Sequence, residues 1–201
     1  MSWKFFTAQG QQKIQTVQRP VTYSTTLPGS PVDGDEAILV DSTTNPSYQW
    51  RFRYNGSSTS SYKWEYVGGT PGYAIVTAVG AGGGESTASD TYTALTTAGP
   101  TFTIPRAGDY QISIGFTGGN GNSTCNALMS FDIGATGAVD ADKCNATYSA
   151  STTSFPSVYR TISKTGMSAS TTLTAKYRRD GSAGTGYFWN RWISVVPVRV
   201  S

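Results

Sequence analysis

Apolar side chains in this sequence recur at every second position over short runs, and a period of two fits an extended strand, not a helix. The clearest run is Tyr48-Gln49-Trp50-Arg51-Phe52-Arg53-Tyr54, which puts Tyr48, Trp50, Phe52 and Tyr54 on one face and Gln49, Arg51 and Arg53 on the other. Asn55-Gly56 and a serine-rich loop follow. Tyr62-Lys63-Trp64-Glu65-Tyr66-Val67 then returns with the same alternation. Such a pair reads as a hairpin with an aromatic ladder, whose core is Tyr48, Trp50, Phe52, Tyr62, Trp64 and Tyr66. Composition agrees. The 201 residues include 29 threonines, 24 serines and 23 glycines, types that favour strands and turns over helices. Only 13% of residues are charged, about half the usual share. The expected class is all-β.

The chain divides into three parts. Residues 1–22 form a leader that opens on Trp3, Lys4, Phe5 and Phe6 and continues rich in glutamine. Aromatics ahead of a segment without strand periodicity read as a peptide that anchors on another chain; the alternative is a terminal strand packed on its own domain. Residues 23–72 form a small β module: turns around Pro28 and Gly34, a short strand Ala37-Ile38-Leu39-Val40, the aromatic hairpin, and Gly68-Gly69-Thr70-Pro71-Gly72 at its close. Residues 73–201 read as about eight strands. The first, Tyr73-Ala74-Ile75-Val76-Thr77-Ala78-Val79, is apolar on both faces and is expected to be central. Tyr92-Thr93-Ala94-Leu95, Thr101-Phe102-Thr103-Ile104, Tyr110-Gln111-Ile112-Ser113-Ile114-Gly115-Phe116 and Ala127-Leu128-Met129-Ser130-Phe131-Asp132-Ile133 follow. Three more fit 158–163, 171–178 and 187–200, with the Asp180-Gly181 turn between the last two. Strands of this number, joined by irregular connections, point to a jelly-roll β-sandwich.

Several chemistries are excluded. The chain has no histidine, so neither a Ser-His-Asp nor a Cys-His apparatus can be assembled, and two cysteines cannot make a four-thiolate zinc site. No cofactor is expected. The start lacks a basic-then-apolar signal layout and no run reaches the ~20 apolar residues of a span, so a soluble chain without membrane insertion is expected. Fifteen basic against 12 acidic residues is too even a balance to argue for nucleic acid. Cys125 and Cys144 flank a Gly-, Ala- and Asp-rich stretch. A disulfide there would stabilise by about 3 kcal/mol; the alternative, two separate thiols, suits a reducing cytoplasm. Carboxylates are the remaining route to acid–base chemistry. Asp33, Asp35, Glu36 and Asp41 read as turn and solvated residues, and Asp140 with Asp142 lacks the further ligands calcium wants. Gly80-Ala81-Gly82-Gly83-Gly84 has no following Lys-Ser/Thr and reads as a loop.

Two parts of the sequence resemble known families. Trp3-Lys4-Phe5-Phe6-Thr7-Ala8, then Pro31-Val32-Asp33-Gly34-Asp35-Glu36-Ala37-Ile38-Leu39-Val40-Asp41, and the aromatic hairpin resemble the start of tailed-bacteriophage minor structural proteins. In those proteins the segment precedes a variable β domain. The resemblance implies that Trp3, Lys4, Phe5 and Phe6 anchor the chain to the particle. Phe102-Thr103-Ile104-Pro105 with Gly108-Asp109-Tyr110, and the close Trp192-Ile193-Ser194-Val195-Val196-Pro197-Val198-Arg199-Val200, are similar to jelly rolls of the tumour-necrosis-factor and complement type. That likeness implies a homotrimer.

The expectation is therefore a non-enzymatic virion structural protein, assembled in the bacterial cytoplasm and displayed on the virion surface. As a tail fibre or minor tail protein it would bind host-surface glycan through loops such as 80–90, 117–125 and 134–156. As a capsid decoration or head-fibre protein it would grip the major capsid protein, a reading that the lack of a shaft favours. A glycan depolymerase using paired carboxylates at a trimer seam is the third alternative.

Overall fold

A computed structural model describes the backbone of residues 3–6 and 12–15, and residues 19–77, 84–122, 125–147, 155–181 and 183–201 in full. Strand β1 (Trp3–Phe6) pairs antiparallel with β2 (Gln12–Gln15), so part of the leader is a hairpin of its own. The side chains of Trp3, Lys4, Phe5 and Phe6 lie outside the described residues.

Next come β3 (Thr22–Ser24), β4 (Glu36–Val40), β5 (Gln49–Tyr54) and β6 (Trp64–Thr70). β4, β5 and β6 form an antiparallel meander in which Phe52 faces Tyr66 and Tyr54 faces Trp64, and β3 adds to β4 in parallel. The chain continues through β7 (Gly72–Val76), β8 (Glu85–Thr87), β9 (Thr101–Thr103), β10 (Gly108–Asn120), β11 (Ala127–Ile133), β12 (Cys144–Ala146), β13 (Ser157–Met167), β14 (Thr172–Arg179) and β15 (Gly186–Val200). Among the described residues there is no α-helix, and so none long and apolar enough to cross a membrane; a single 3-10 turn spans Asp140–Asp142.

From β9 onward the chain shuttles between two sheets. β9, β11, β12 and β14 make one, in the order β12-β11-β14-β9, while β10, β13 and β15 lie in the other, in the order β13-β10-β15. β7 completes the second layer by pairing with β15. Four strands facing four in this winding are a jelly roll. β15 organises the second sheet: β10 runs along one edge, and β8, β7 and β6 pair in series along the other. Through β6 the strands of the 23–72 segment extend that same sheet.

The alternation seen in the sequence fills the space between the sheets. Tyr110, Ile112, Ile114 and Phe116 from β10 meet Met129, Phe131, Leu173, Ala175 and Tyr177, and all are buried. Of the aromatic ladder, Tyr48, Trp50, Phe52 and Trp64 are buried; Tyr66 packs half-buried on the core and Tyr62 lies half-buried ahead of β6. The ladder does not close on itself. Trp50 also packs on Phe102 and Tyr110, each at 6.1 Å between ring centroids, so one core runs through both segments.

Three local expectations are corrected. β7 is not central: among the described residues it pairs only with β15, and Tyr73 and Ile75 are exposed. The run 92–95 contributes a single bridge, Thr93 to Tyr177, instead of a strand. Three residues at Cys144–Ala146 form a strand that no alternation foretold.

Candidate functional site

The jelly roll turns two unlike faces to solvent. On the β7-β15-β10-β13 sheet the inward residues of β10 are Ile112 and Ile114, which leaves Gln111, Ser113, Gly115 and Thr117 pointing out. Registered beside them are Trp192, Ser194 and Val196 of β15, Tyr159, Thr161 and Ser163 of β13, and Tyr73 and Ile75 of β7. None of these twelve carries a charge. Ser113 and Thr161 hydrogen-bond each other at 2.8 Å, as do Thr117 and Ser157, so these four hydroxyls are paired within the face. Trp192 lies flat across Gly115, where a Cβ would sit 2.5 Å from the indole, and its ring neighbours Tyr73 at 6.1 Å. Tyr159 is 73% exposed. Toward the other end of β15, Phe155 stacks on Trp189 at 4.5 Å. The ion pair Asp109–Arg199, at 3.1 Å, marks the rim. Arg160 and Lys164 on the edge strand reach the carbonyl of Lys143 and the carboxylate of Asp142.

The β12-β11-β14-β9 sheet is the opposite case. Its outer face carries Asp132 on β11 and Lys176 and Arg178 on β14. The segment 134–143 folds over it, with the Ser130 hydroxyl donating to the Val139 carbonyl and the Ala138 N–H donating to Asp132 Oδ1 at 2.8 Å. Between residues 137–140 and 90–92 an open depression of about 780 Å³ remains. Arg178 donates to both oxygens of Asp140, at 2.9 and 2.7 Å, and stacks over the Tyr92 ring at 5.3 Å. The Tyr92 hydroxyl donates to Asp140 Oδ1 at 2.9 Å and Lys143 pairs with Oδ2. Arg178 is the main cause that holds the Asp140 carboxyl down at about 2. Burial, and then the Asp140 carboxylate, push the Tyr92 phenol up.

These pairings decide the roles of the acidic residues singled out in the sequence. Asp140 is bound by Arg178, and Asp142 is buried against Lys164 at 2.6 Å, so each is spoken for within the fold. Asp33 and Asp35 hold backbone N–H groups of Gly56 and Val32, and Asp41 holds Ser47, as turn residues do. Among the described residues no three His, Cys, Asp or Glu side chains cluster as metal ligands. Most of the 80–84 loop lies outside the described residues.

The sequence left a disulfide and two separate thiols open, and in the structure Cys125 and Cys144 are not bonded to each other. Register gives the reason. Cys144 sits opposite Met129 on β11, four positions along from Cys125. At ~3.3 Å per residue that is roughly 13 Å, well beyond the ~7 Å that a disulfide can span. Both are buried, and burial pushes the Cys144 thiol up to about 12.

Sequence reasoning singled out Asp140 but not its neighbours Tyr92, Asp132, Lys176 and Arg178. The only available signal was the polar parity of Ser130 and Asp132 within an otherwise apolar run.

Fold and faces together define a jelly-roll β-sandwich with one uncharged and one densely ion-paired side. No family model and no curated protein matches the sequence. Among solved structures it is similar to Eiger TNF from S. frugiperda, at 11% identity and a TM-score of 0.43 over 64% of this chain and 93% of that one. It is also similar to infectious bursal disease virus, Gx strain, at 12% identity and a TM-score of 0.38 over 98% of this chain and 63% of that one. The jelly-roll assignment rests on the strand order itself.

Proposed function

We propose that this chain is a non-enzymatic structural protein of a bacteriophage virion that assembles as a homotrimer. Its N-terminal region, with Trp3, Lys4, Phe5 and Phe6, anchors it to other virion proteins. The jelly roll is displayed outward and binds host-surface glycan, as a tail fibre or minor tail protein does. One observation carries the reading: the uncharged outward face of β7-β15-β10-β13, in a chain whose other sheet is laced with ion pairs. Depletion of charge with enrichment of aromatics is the composition of an interface core. A second copy fits that face better than a ligand does, because four of its hydroxyls are already paired and Trp192 lies flat over Gly115, while exposed Tyr159 offers apolar area to cover. The resemblance of residues 1–69 to phage minor structural proteins supplies the particle.

Capsid decoration is the second reading. It is favoured because β3–β6 lie in the same sheet as β15, so residues 22–70 extend the jelly roll's own sheet. Purified virions labelled with an antibody against residues 73–201 test both. Label at the tail is the expected result, label over the head establishes decoration, and unlabelled virions from cells that make the protein contradict a virion role.

A further inference from the structure

We infer that the depression between residues 90–92 and 137–140 is a carbohydrate site that takes neutral sugars in preference to acidic ones. The inference deepens the proposed host-surface role and rests on it for the origin of the glycan. The depression lies on the sheet opposite the uncharged face, so a trimer built through that face leaves it open. At about 780 Å³ it is open and shallow, so it would contact one face of a sugar and leave the other in solvent.

Its chemistry selects the ligand class. Each carboxylate in the wall has its cation in place: Asp140 with Arg178, Asp132 with Lys176 at 3.4 Å, Asp90 with Arg179 at 2.9 Å. Lys143 shares Asp140 with Arg178, and a charged ligand would have to displace a partner from one of these pairs to gain a counter-charge of its own. A neutral hydroxyl has no such conflict, since it donates to a carboxylate while accepting from an ammonium. Asp132 and Lys176 are placed for that. Their separation is long for a direct hydrogen bond, and each side chain is only 24% exposed, so a sugar hydroxyl bridging them would meet fixed partners. Ala138 and Val139, the latter 47% exposed, supply an apolar patch for the C–H face of a pyranose. Tyr92 and Arg178 brace Asp140 and so fix one wall of the site before any ligand arrives.

The test uses the full chain on an array of neutral hexose oligosaccharides and their sialylated or uronic-acid counterparts. Saturable binding to a neutral member is expected. Asp132→Asn and Lys176→Met should each weaken it about tenfold, the loss of one charge-assisted hydrogen bond. Val139→Asp, at an exposed rim position that leaves the fold alone, should weaken it comparably by placing an unpaired charge on the patch. Binding that all three variants leave unchanged would move the glycan site elsewhere and overturn this one. Binding confined to acidic members would overturn the ligand class. No binding at all, with virions labelled by the antibody, would overturn the site and leave the structural role standing.

Discussion

Trp50→Ala is expected to lower the unfolding free energy by about 3–5 kcal/mol, the cost of emptying a large aromatic site. Trp50 is fully buried, stacks on Tyr48 at 4.2 Å, and sits edge-on to Phe52 at 6.5 Å. Its other neighbours decide the size of the effect. Phe102 stands at the start of one jelly-roll sheet and Tyr110 on the other, so the indole plugs the end of the sandwich as well as the 23–72 strands. Urea unfolding should therefore shift as one transition, with no early loss of the N-terminal strands. Trp50→Phe should cost less, because it keeps an aromatic ring there and empties a smaller volume. It also removes a buried indole N–H that has no hydrogen-bond partner among the described residues. Two separate transitions in Trp50→Ala would contradict the continuous core.

The second large effect lies at Glu85 and Arg191. Near Phe116 the β10–β15 register slips, and Asn190 takes a φ of 45°, the left-handed region. The bulge turns Arg191 into the protein, where it is 3% exposed. Arg191 pairs there with Glu85 at 3.0 Å and lies over the Tyr177 ring at 5.2 Å. Glu85 Oε1 also accepts the Thr97 N–H at 2.7 Å. Glu85→Ala strands a buried guanidinium and should cost about 3 kcal/mol, while Glu85→Ala with Arg191→Met should recover much of the loss. The pair also shapes acid stability. Burial raises the Glu85 carboxyl, but the Thr97 hydrogen bonds and the Arg191 charge outweigh it and hold it below its ordinary 4.5. A group whose folded value is depressed contributes fully above its unfolded value, and that contribution is lost as pH falls through the folded one. Wild type should thus lose stability below about pH 4.5, and Glu85→Ala should show a shallower fall in the same window.

Much of the fold was legible because burial follows parity. Tyr110 to Ile114 alternate between buried and solvent-facing side chains, and the aromatic hairpin pairs as its pattern implied; Ala127 to Phe131 are buried on both sides, since the 134–143 segment covers their outer face. Parity was misread where both sides of a strand are apolar for different reasons. In β7, Ala74 faces the core while Tyr73 and Ile75 belong to the uncharged outer face, so an edge strand looked central. β12 is too short to show a period. The separate thiols could not be foreseen from spacing, which gives loop length but not register. The bulge left a trace that went unused: Phe188 points inward at even parity, while Ile193 and Val195 do so at odd parity. The polar depression was illegible because Tyr92, Asp132, Asp140 and Arg178 come from three separate stretches of chain that only the sheet-to-sheet winding brings together.

The central claim is that one sheet assembles the protein while the other is displayed, and the mass of the purified chain in solution tests it most directly. Sedimentation equilibrium at micromolar concentration should give three times the 21.3 kDa of the chain. Tyr159→Lys, a charge placed on the open edge of the uncharged face, should give a folded particle of 21.3 kDa. A wild-type monomer, or a Tyr159→Lys variant that sediments as the wild type does, would contradict it.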